Sequence, residues 1–506
     1  MFLDLGVGDL MEPLSGRSWD RKRTMEEVAR RIARFKELGI GPGDRILVLF
    51  GNNLEFFAEL LAIWKMGACA VPIDNRLTPF EIHNLAKAAA PKAAVIEDGT
   101  PSEVVGPLER SGIKVVETTD ISPSEEWAYE VSLDQEALIL FTSGSTGDPK
   151  GVVHTHRSLR ARWLSLKENL DIRDFKRSLC VLPTHFGHGL ICNCLFPWLS
   201  GQDLCVAPPF RPELIMRLGK IIDENGITFL SSVPSIWKMA LKLASPPRNG
   251  TLRRVHCGSA PLSAHMWEDI KRWCGIQDVC NAYGITETGS WVAGLRRPDV
   301  EPQDGLIGEG WGALIKVMRT DETSLGLQKD LECEPEEEGF VWLNTPALMK
   351  GYLGREDLTR RCVVDGWFFT GDVGVLDGKG RLVLKGRVRD EINKGGMKIF
   401  PSDVDSVVER YSGVIDVCTF AVDDPLYGQN VGMAVVLSDP NERNISGLYQ
   451  WMRQHLAQSK MPARWWLLES IPRTSRGKVN REAVKEKCDS LKPLDLSSIL
   501  ARETGE

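Results

Sequence analysis

Phe141-Thr142-Ser143-Gly144-Ser145-Thr146-Gly147-Asp148-Pro149-Lys150-Gly151 closes an apolar run that begins at Ala137. The run, Ala137-Leu138-Ile139-Leu140-Phe141, reads as a buried strand. Over residues 142–147 hydroxyl side chains and glycines intermingle, and a lysine stands near the end of the stretch. Glycines let a backbone turn tightly and approach a ligand. Hydroxyls and exposed backbone N–H groups can donate to phosphate oxygens, and Lys150 adds a point charge. The pattern is not a Walker A loop, which ends Gly-Lys-Ser/Thr; here Gly151 comes after Lys150. A plain flexible Gly/Ser turn is the competing reading. The position directly after a strand and the ending Pro149-Lys150-Gly151 favour a nucleotide phosphate loop.

Working outward, the first half alternates helix and strand patterns. Met25, Val28, Ile32, Phe35 and Leu38 recur at helical spacing, and Gly41-Pro42-Gly43-Asp44 breaks the chain. Strands are expected over 46–50, 69–73 and 93–97, and helices over 54–66 and 79–89. This rhythm predicts parallel sheet covered by helices. The texture changes near Gly386. Beyond it come helices over 402–411 and 445–457 and strands over 414–422 and 432–437, enough for a small α+β domain. The expected fold is therefore α/β: a large N-terminal domain of layered α/β sheets, residues 1–386, and a smaller α+β domain, residues 387–506.

The 506 residues exceed one ordinary core. With 42% hydrophobic and 26% charged residues the chain has the composition of a soluble globular protein. A net charge of −7 and no basic stripe with interleaved aromatics argue against a nucleic-acid partner. The twelve cysteines are scattered and form no zinc pattern, so reduced, buried thiols in a cytoplasmic protein are expected. The N-terminus lacks the pattern of a signal peptide, and no apolar run reaches membrane-spanning length.

Four further segments are unremarkable singly. In Tyr283-Gly284-Ile285-Thr286-Glu287 the tyrosine could stack on a base, the threonine could touch a phosphate, and the glutamate could hold Mg2+; a surface turn is the plainer reading. Trp367-Phe368-Phe369-Thr370-Gly371-Asp372 sets a carboxylate after a turn glycine, where it could accept both hydroxyls of a ribose or be an ordinary turn aspartate. Gly386-Arg387-Val388-Arg389-Asp390 could be a solvated linker, and the segment from Pro472 through Gly477-Lys478 to Arg481 a solvated basic turn.

Together and in this order they are specific. With Gly258-Ser259-Ala260-Pro261-Leu262-Ser263 and Ile392-Asn393-Lys394-Gly395-Gly396, the chain resembles the AMP-forming acyl-activating (adenylate-forming) superfamily from about Met25 to Arg481. That superfamily holds acyl-CoA synthetases, carrier-loading adenylation enzymes and firefly-luciferase-like proteins. The resemblance implies ATP and Mg2+ as cofactors, a carboxylic acid as substrate, and CoA or a carrier protein's phosphopantetheine as acceptor. It makes Thr142, Ser143, Gly144, Ser145, Thr146, Gly147 and Lys150 the phosphate loop. Gly258, Ser259, Ala260 and Pro261, with Asn281, Ala282, Tyr283 and Gly284, would frame the adenine. Thr286 would contact the α-phosphate and Glu287 the metal. Asp372 and Arg387 would hold the ribose, and Lys478 would be the catalytic lysine of acid activation.

The resemblance also implies a mobile C-terminal domain hinged at Arg389 or Asp390. It places residues 182–190 at the wall between acyl and nucleotide sites. Many relatives read Phe-His where this chain has His185-Phe186, so either ring could gate the site. His185 is a candidate catalytic residue, a packed or hydrogen-bonded histidine being the equal alternative. Residues 231–237 and Ser259 would line the acyl pocket without defining the acid. The helix from Thr24 begins earlier than in most members, whose extra leading segment is missing, a difference that bears on dimer contacts or stability. Three functions are open: an acid–CoA ligase; an enzyme loading a separate carrier protein, since residues 479–506 are too few for a carrier domain; and a nucleotide-binding homologue without catalysis. The acid and the oligomeric state stay open.

Overall fold

The computed structural model describes residues 6–117, 130–142, 150–209, 211–296, 300–319, 327–395, 397–474, 477–496 and 499. Ser143, Gly144, Ser145, Thr146 and Gly147 lie outside the described residues. Three sheets organise the chain, of fourteen, seven and five strands among the described residues.

The seven-stranded sheet carries the opening stretch. In order it is Gly351–Tyr352, Lys150–Thr155, Glu136–Thr142, Cys69–Pro72, Arg45–Leu49, Ala93–Ile96 and Lys114–Glu117. The strands from Glu136–Thr142 to Lys114–Glu117 pair in parallel, as the alternating pattern predicts. At the other edge the sheet turns antiparallel. Glu136–Thr142 pairs with Lys150–Thr155, Thr142 opposite Lys150, and Gly351–Tyr352 adds to Lys150–Thr155. The Ser/Thr/Gly stretch thus joins two antiparallel strands, whereas a Walker loop runs from strand to helix.

The predicted helices form. Residues Pro79–Ala89 are helical behind a capping box of Thr78 and Glu81, and Leu54–Lys65 is capped by Asn53. The first helix, Arg21–Glu37, starts before Thr24 because Asp20 accepts from Arg23 N at 2.7 Å. It is fixed to Leu54–Lys65 by fully buried Glu59, which accepts from Arg31 Nε at 2.9 Å and from Arg34 Nη2 at 2.6 Å. Ahead of it, Leu10–Met11 and Ser18–Trp19 form the edge of the fourteen-stranded sheet.

In that large sheet Arg177–Cys180, Phe229–Ser232, Arg254–Gly258 and Val279–Ile285 run parallel, so their C-terminal ends meet. The second half of the sheet is antiparallel and includes Trp367–Leu376 paired with Leu382–Arg387. Gly371 and Asp372 therefore lie within a strand, at an irregularity where Gly371 adopts φ +70°, rather than in a turn between elements.

Among the described residues, strands from Ile392 onward pair only among themselves, in the five-stranded sheet around Gly428–Leu437. That sheet has its own apolar core, including Ile399, Val417, Val431, Leu448 and Trp465. All twelve cysteines are unpaired, and all but Cys333 and Cys362 are buried. Among the described residues no helix is long and apolar enough to cross a membrane.

Candidate active site

The ribose candidates meet through strand pairing. Asp372 stands opposite Arg387 in the antiparallel ladder. Its Oδ1 lies 2.7 Å from Arg387 Nε, and its Oδ2 accepts from Tyr283 OH at 2.5 Å. Asp372 is buried. Burial, then the neighbouring Asp372 carboxylate, pushes the Tyr283 phenol far up, so it stays a donor. The Asp372 charge holds Arg387 above its usual range against the effect of burial. Each carboxylate oxygen still has a lone pair to offer, the requirement for accepting two ribose hydroxyls.

Val279–Ile285 carries Tyr283 to this position and hands over at Ile285 to a 3-10 turn, Thr286–Thr288. The segment expected after a strand end is thus partly in the strand itself. Gly258 is required for close approach: a Cβ there would lie 2.2 Å from Ala282 O on the neighbouring strand. Ser259 then takes φ +64°, a left-handed conformation that a side chain disfavours. The Asn281 amide donates to Leu306 O at 3.0 Å.

The turn holding Thr286 and Glu287 is fastened from behind by residues that the motifs do not include. His154 Nε2 lies 2.8 Å from Thr286 O. Arg162, fully buried, donates to Thr288 O at 3.1 Å, Trp311 O at 2.8 Å and Thr345 Oγ1 at 3.1 Å. Burial lowers its pKa to about 10, and three oxygens without charge compensate. The sequence does carry a signal for it: Leu159, Arg162, Trp163 and Leu166 form one helical face, an arginine inside an apolar stripe. Glu287 accepts from Tyr352 OH at 2.7 Å. Tyr352 arrives by the pairing of Gly351–Tyr352 with Lys150–Thr155, and Lys150 Nζ stands 5.9 Å from its ring centroid. Lys150, Tyr352 and Glu287 are therefore linked in space.

The residues expected at the acyl wall are of a different kind. His188 Nδ1 lies 2.8 Å from Ser259 Oγ, and Nε2 lies 2.6 Å from Ser231 Oγ. Burial, assisted by the charge of Lys478, drops its pKa to about 3, so the ring is neutral. The Trp291 ring is 5.5 Å away, edge-on. The adjacent pair divides: His185 Nε2 lies 3.5 Å from Asp74 Oδ2, whereas Phe186 has Lys478 Nζ 5.8 Å from its ring centroid. Burial pushes the Asp74 carboxyl up, but bidentate Arg76, together with His185, outweighs it. A methyl group at Gly187 would come within 3.9 Å of Thr286 Cγ2, so the segment expected at the acyl wall abuts the turn holding Thr286.

Lys478 comes from the other end of the chain. Its hairpin is closed by an Arg473–Val479 bridge and by Thr474 N donating to Lys478 O at 2.8 Å.

Residues 15–353 match the AMP-binding enzyme family, and residues 403–478 its C-terminal domain. The chain belongs to this AMP-binding, adenylate-forming family. It is an AMP-forming ligase of the kind that joins an acid to a thiol. A feruloyl-CoA synthase from an Amycolatopsis species is 30% identical over 480 residues, 92% of this chain and 94% of that protein. A fatty acid–[acyl-carrier-protein] ligase of Streptomyces coeruleorubidus is 28% identical, with 92% of each chain covered. The fold matches that of the Bacillus subtilis o-succinylbenzoate CoA synthetase with its acyl-adenylate intermediate. There the TM-score is 0.83 at 23% identity, covering 97% of this chain and 96% of that one. Family membership agrees with the resemblance read from the motifs, and the large α/β part preceding a smaller α+β part agrees with the expected fold.

Proposed function

We propose that this protein activates a free carboxylic acid with ATP and passes the acyl group to the thiol of CoA. The observation that carries the reading is Lys478 Nζ over the Phe186 ring, where the acyl wall abuts the Thr286 turn. In the first step a carboxylate oxygen attacks the α-phosphorus, the bond to the bridging oxygen breaks, and pyrophosphate leaves. Two anions converge, so positive charge must stand where they meet; Lys478 supplies it there, and Lys150 on the phosphate-loop strand. In the second step the thiol sulfur attacks the acyl carbon, AMP leaves with the C–O electrons, and the thiol proton passes to solvent.

Glu287 fits a Mg2+ site bound mainly through phosphate. One oxygen accepts from Tyr352 and, among the described residues, no hydrogen bond engages the other; Mg2+ in nucleotide sites often uses one or two carboxylates. Bound there, the ion would neutralise phosphate oxygens. Asp372 and Arg387 hold the ribose, with Tyr283 orienting the carboxylate. Phe186 is the ring that gates the acid, and His185 a wall residue tied to Asp74. The working division of the chain is 1–386 and 387–506, with the pivot in the turn Val388–Asp390.

Pyrophosphate release with ATP and Mg2+ tests this, using ferulate, 2-succinylbenzoate and dodecanoate, each with and without CoA. Release plus a CoA thioester supports the reading. The carrier-protein ligase among the relatives gives the second reading: release without thioester, and transfer only to a phosphopantetheinylated carrier. No release with any acid overturns both.

A further inference from the structure

Lys238 lies on Pro234–Leu243, the helix after the strand bearing Ser231. Its ammonium crosses to the C-terminal sheet, donating to Asp416 Oδ1 at 2.6 Å and to Glu409 Oε1 at 2.7 Å. The other oxygen of Asp416 accepts from Arg473 Nη2. Arg473 Nη1 donates to Gly477 O at 3.2 Å, the residue before Lys478. An unbroken path thus runs from the acyl-wall helix, through one carboxylate, to the hairpin that presents Lys478. Burial would lower Lys238, but Glu409 and Asp416 outweigh it and hold the amine above its usual range. Lys238 and Arg473 likewise hold Asp416 low against the effect of burial. The cluster is charged, mutually satisfied and largely out of water, where removing one partner is costly.

We propose that Lys238, acting through Asp416 and Arg473, is a positioning residue that latches the Lys478 hairpin over the acyl wall for acid activation. The latch must open before the C-terminal part can swing aside for the thiol. This rests on the role proposed for Lys478 and adds what sets its position.

The test separates the two half-reactions. Pyrophosphate release is measured with whichever of ferulate, 2-succinylbenzoate and dodecanoate serves the wild type, and thioester formation with the corresponding synthetic acyl-AMP and CoA. Lys238→Met and Asp416→Asn are expected to slow pyrophosphate release about tenfold to a hundredfold, the upper end being the scale of a catalytic group misplaced by about 1 Å. Thioester formation should hold steady, and Lys238→Arg should restore most of the first rate. Equal loss in both half-reactions, or wild-type pyrophosphate release by Lys238→Met, overturns the latch. The contact has its own readout in the wild type without any acid. A zero-length carbodiimide should couple Lys238 to Asp416 or Glu409, seen by peptide mass spectrometry, and saturating acyl-AMP plus CoA should reduce that product. If no acid releases pyrophosphate, the activation reading fails by itself while the cross-link still judges the latch; its absence overturns the proposal.

Discussion

The proposed nucleotide side and the proposed acyl side of the site share a border at Thr286 and Ser259 but are built on opposite principles. On the nucleotide side charges are paired and oriented: Asp372 between Arg387 and Tyr283, Glu287 under Tyr352. Around His188 the acyl side is neutral and aromatic: the ring lies between two serines, with Phe186 and Trp291 beside it. A shared reactant with fixed charges calls for the first kind. An acyl group, whose carboxylate alone is charged, calls for the second, because buried unpaired charge would have nothing to meet. Lys478 is where the two join, and breaking it should cost most. Lys478→Ala is expected to lose about two to three decades of pyrophosphate-release rate, the scale of one well-placed donor to developing charge, with the fold kept. Normal release by that variant would end the assignment.

Acid should separate the two sides next. Burial lowers His154 and His156 to about 4 and His188 to about 3, in each case with smaller contributions from neighbours. Unfolded, each would titrate near 6.5. Above that pH both states are neutral and the histidines cost nothing. As pH falls below it, the unfolded chain binds protons that the folded chain refuses, and stability drops by about 1.4 kcal/mol per unit per histidine. Asp405 works the other way: burial, against Arg481, raises it to about 6, so its protonation favours the fold between about 6 and the usual carboxylate range. The histidines outnumber it. Urea unfolding between pH 7 and 4.5 should show falling stability, with a shallower slope in His154→Gln. A flat profile would mean these rings are not held neutral.

Much of this is legible in the sequence, and unevenly. The helices at 54–65 and 79–89 and the strand between them arise from apolar spacing and caps, which are local. The C-terminal strand Val414–Asp424 extends past its predicted end at 422 because it pairs along Gly428–Leu437, a partner that local pattern cannot supply. Asp372 looks like a turn residue for the same reason: its strand is defined by pairing with Leu382–Arg387. Tyr352 and His154 are silent, since nothing near them in sequence announces that they support Glu287 and Thr286 from a neighbouring strand. Arg162 is legible only as a cation set in an apolar helical face, and the oxygens that receive it come from distant segments.

On the nucleotide side alone, Asp372→Asn is expected to raise KM for ATP about tenfold to a hundredfold, the worth of hydrogen bonds to a charged acceptor, while KM for the acid stays within about twofold. Arg387 would lose its carboxylate partner in the same change. A shift in the acid's KM as large as that in ATP's would mean that the two sides are not separate in energy.

The smallest effects fall on the border, where they discriminate best. Ser231 and Ser259 hold opposite nitrogens of one neutral ring. A neutral imidazole donates from one nitrogen and accepts at the other, so loss of either hydroxyl frees a ring nitrogen to rotate or seek a new partner. Each is worth about 1 kcal/mol, a change of about fivefold. The serines differ in what else they touch. Ser231 is fully buried on a central strand behind the wall, so Ser231→Ala should move KM for the acid and leave that for ATP alone. Ser259 ends the strand Arg254–Gly258 in a left-handed conformation beside the adenine candidates, so Ser259→Ala should move both. Ser259→Gly would relieve the backbone cost and remove the hydroxyl together, keeping the acid effect while raising thermal stability. If Ser231→Ala instead changed KM for ATP and spared the acid, His188 would belong to the nucleotide side, and the acyl wall would have to be sought elsewhere on the Phe186 face.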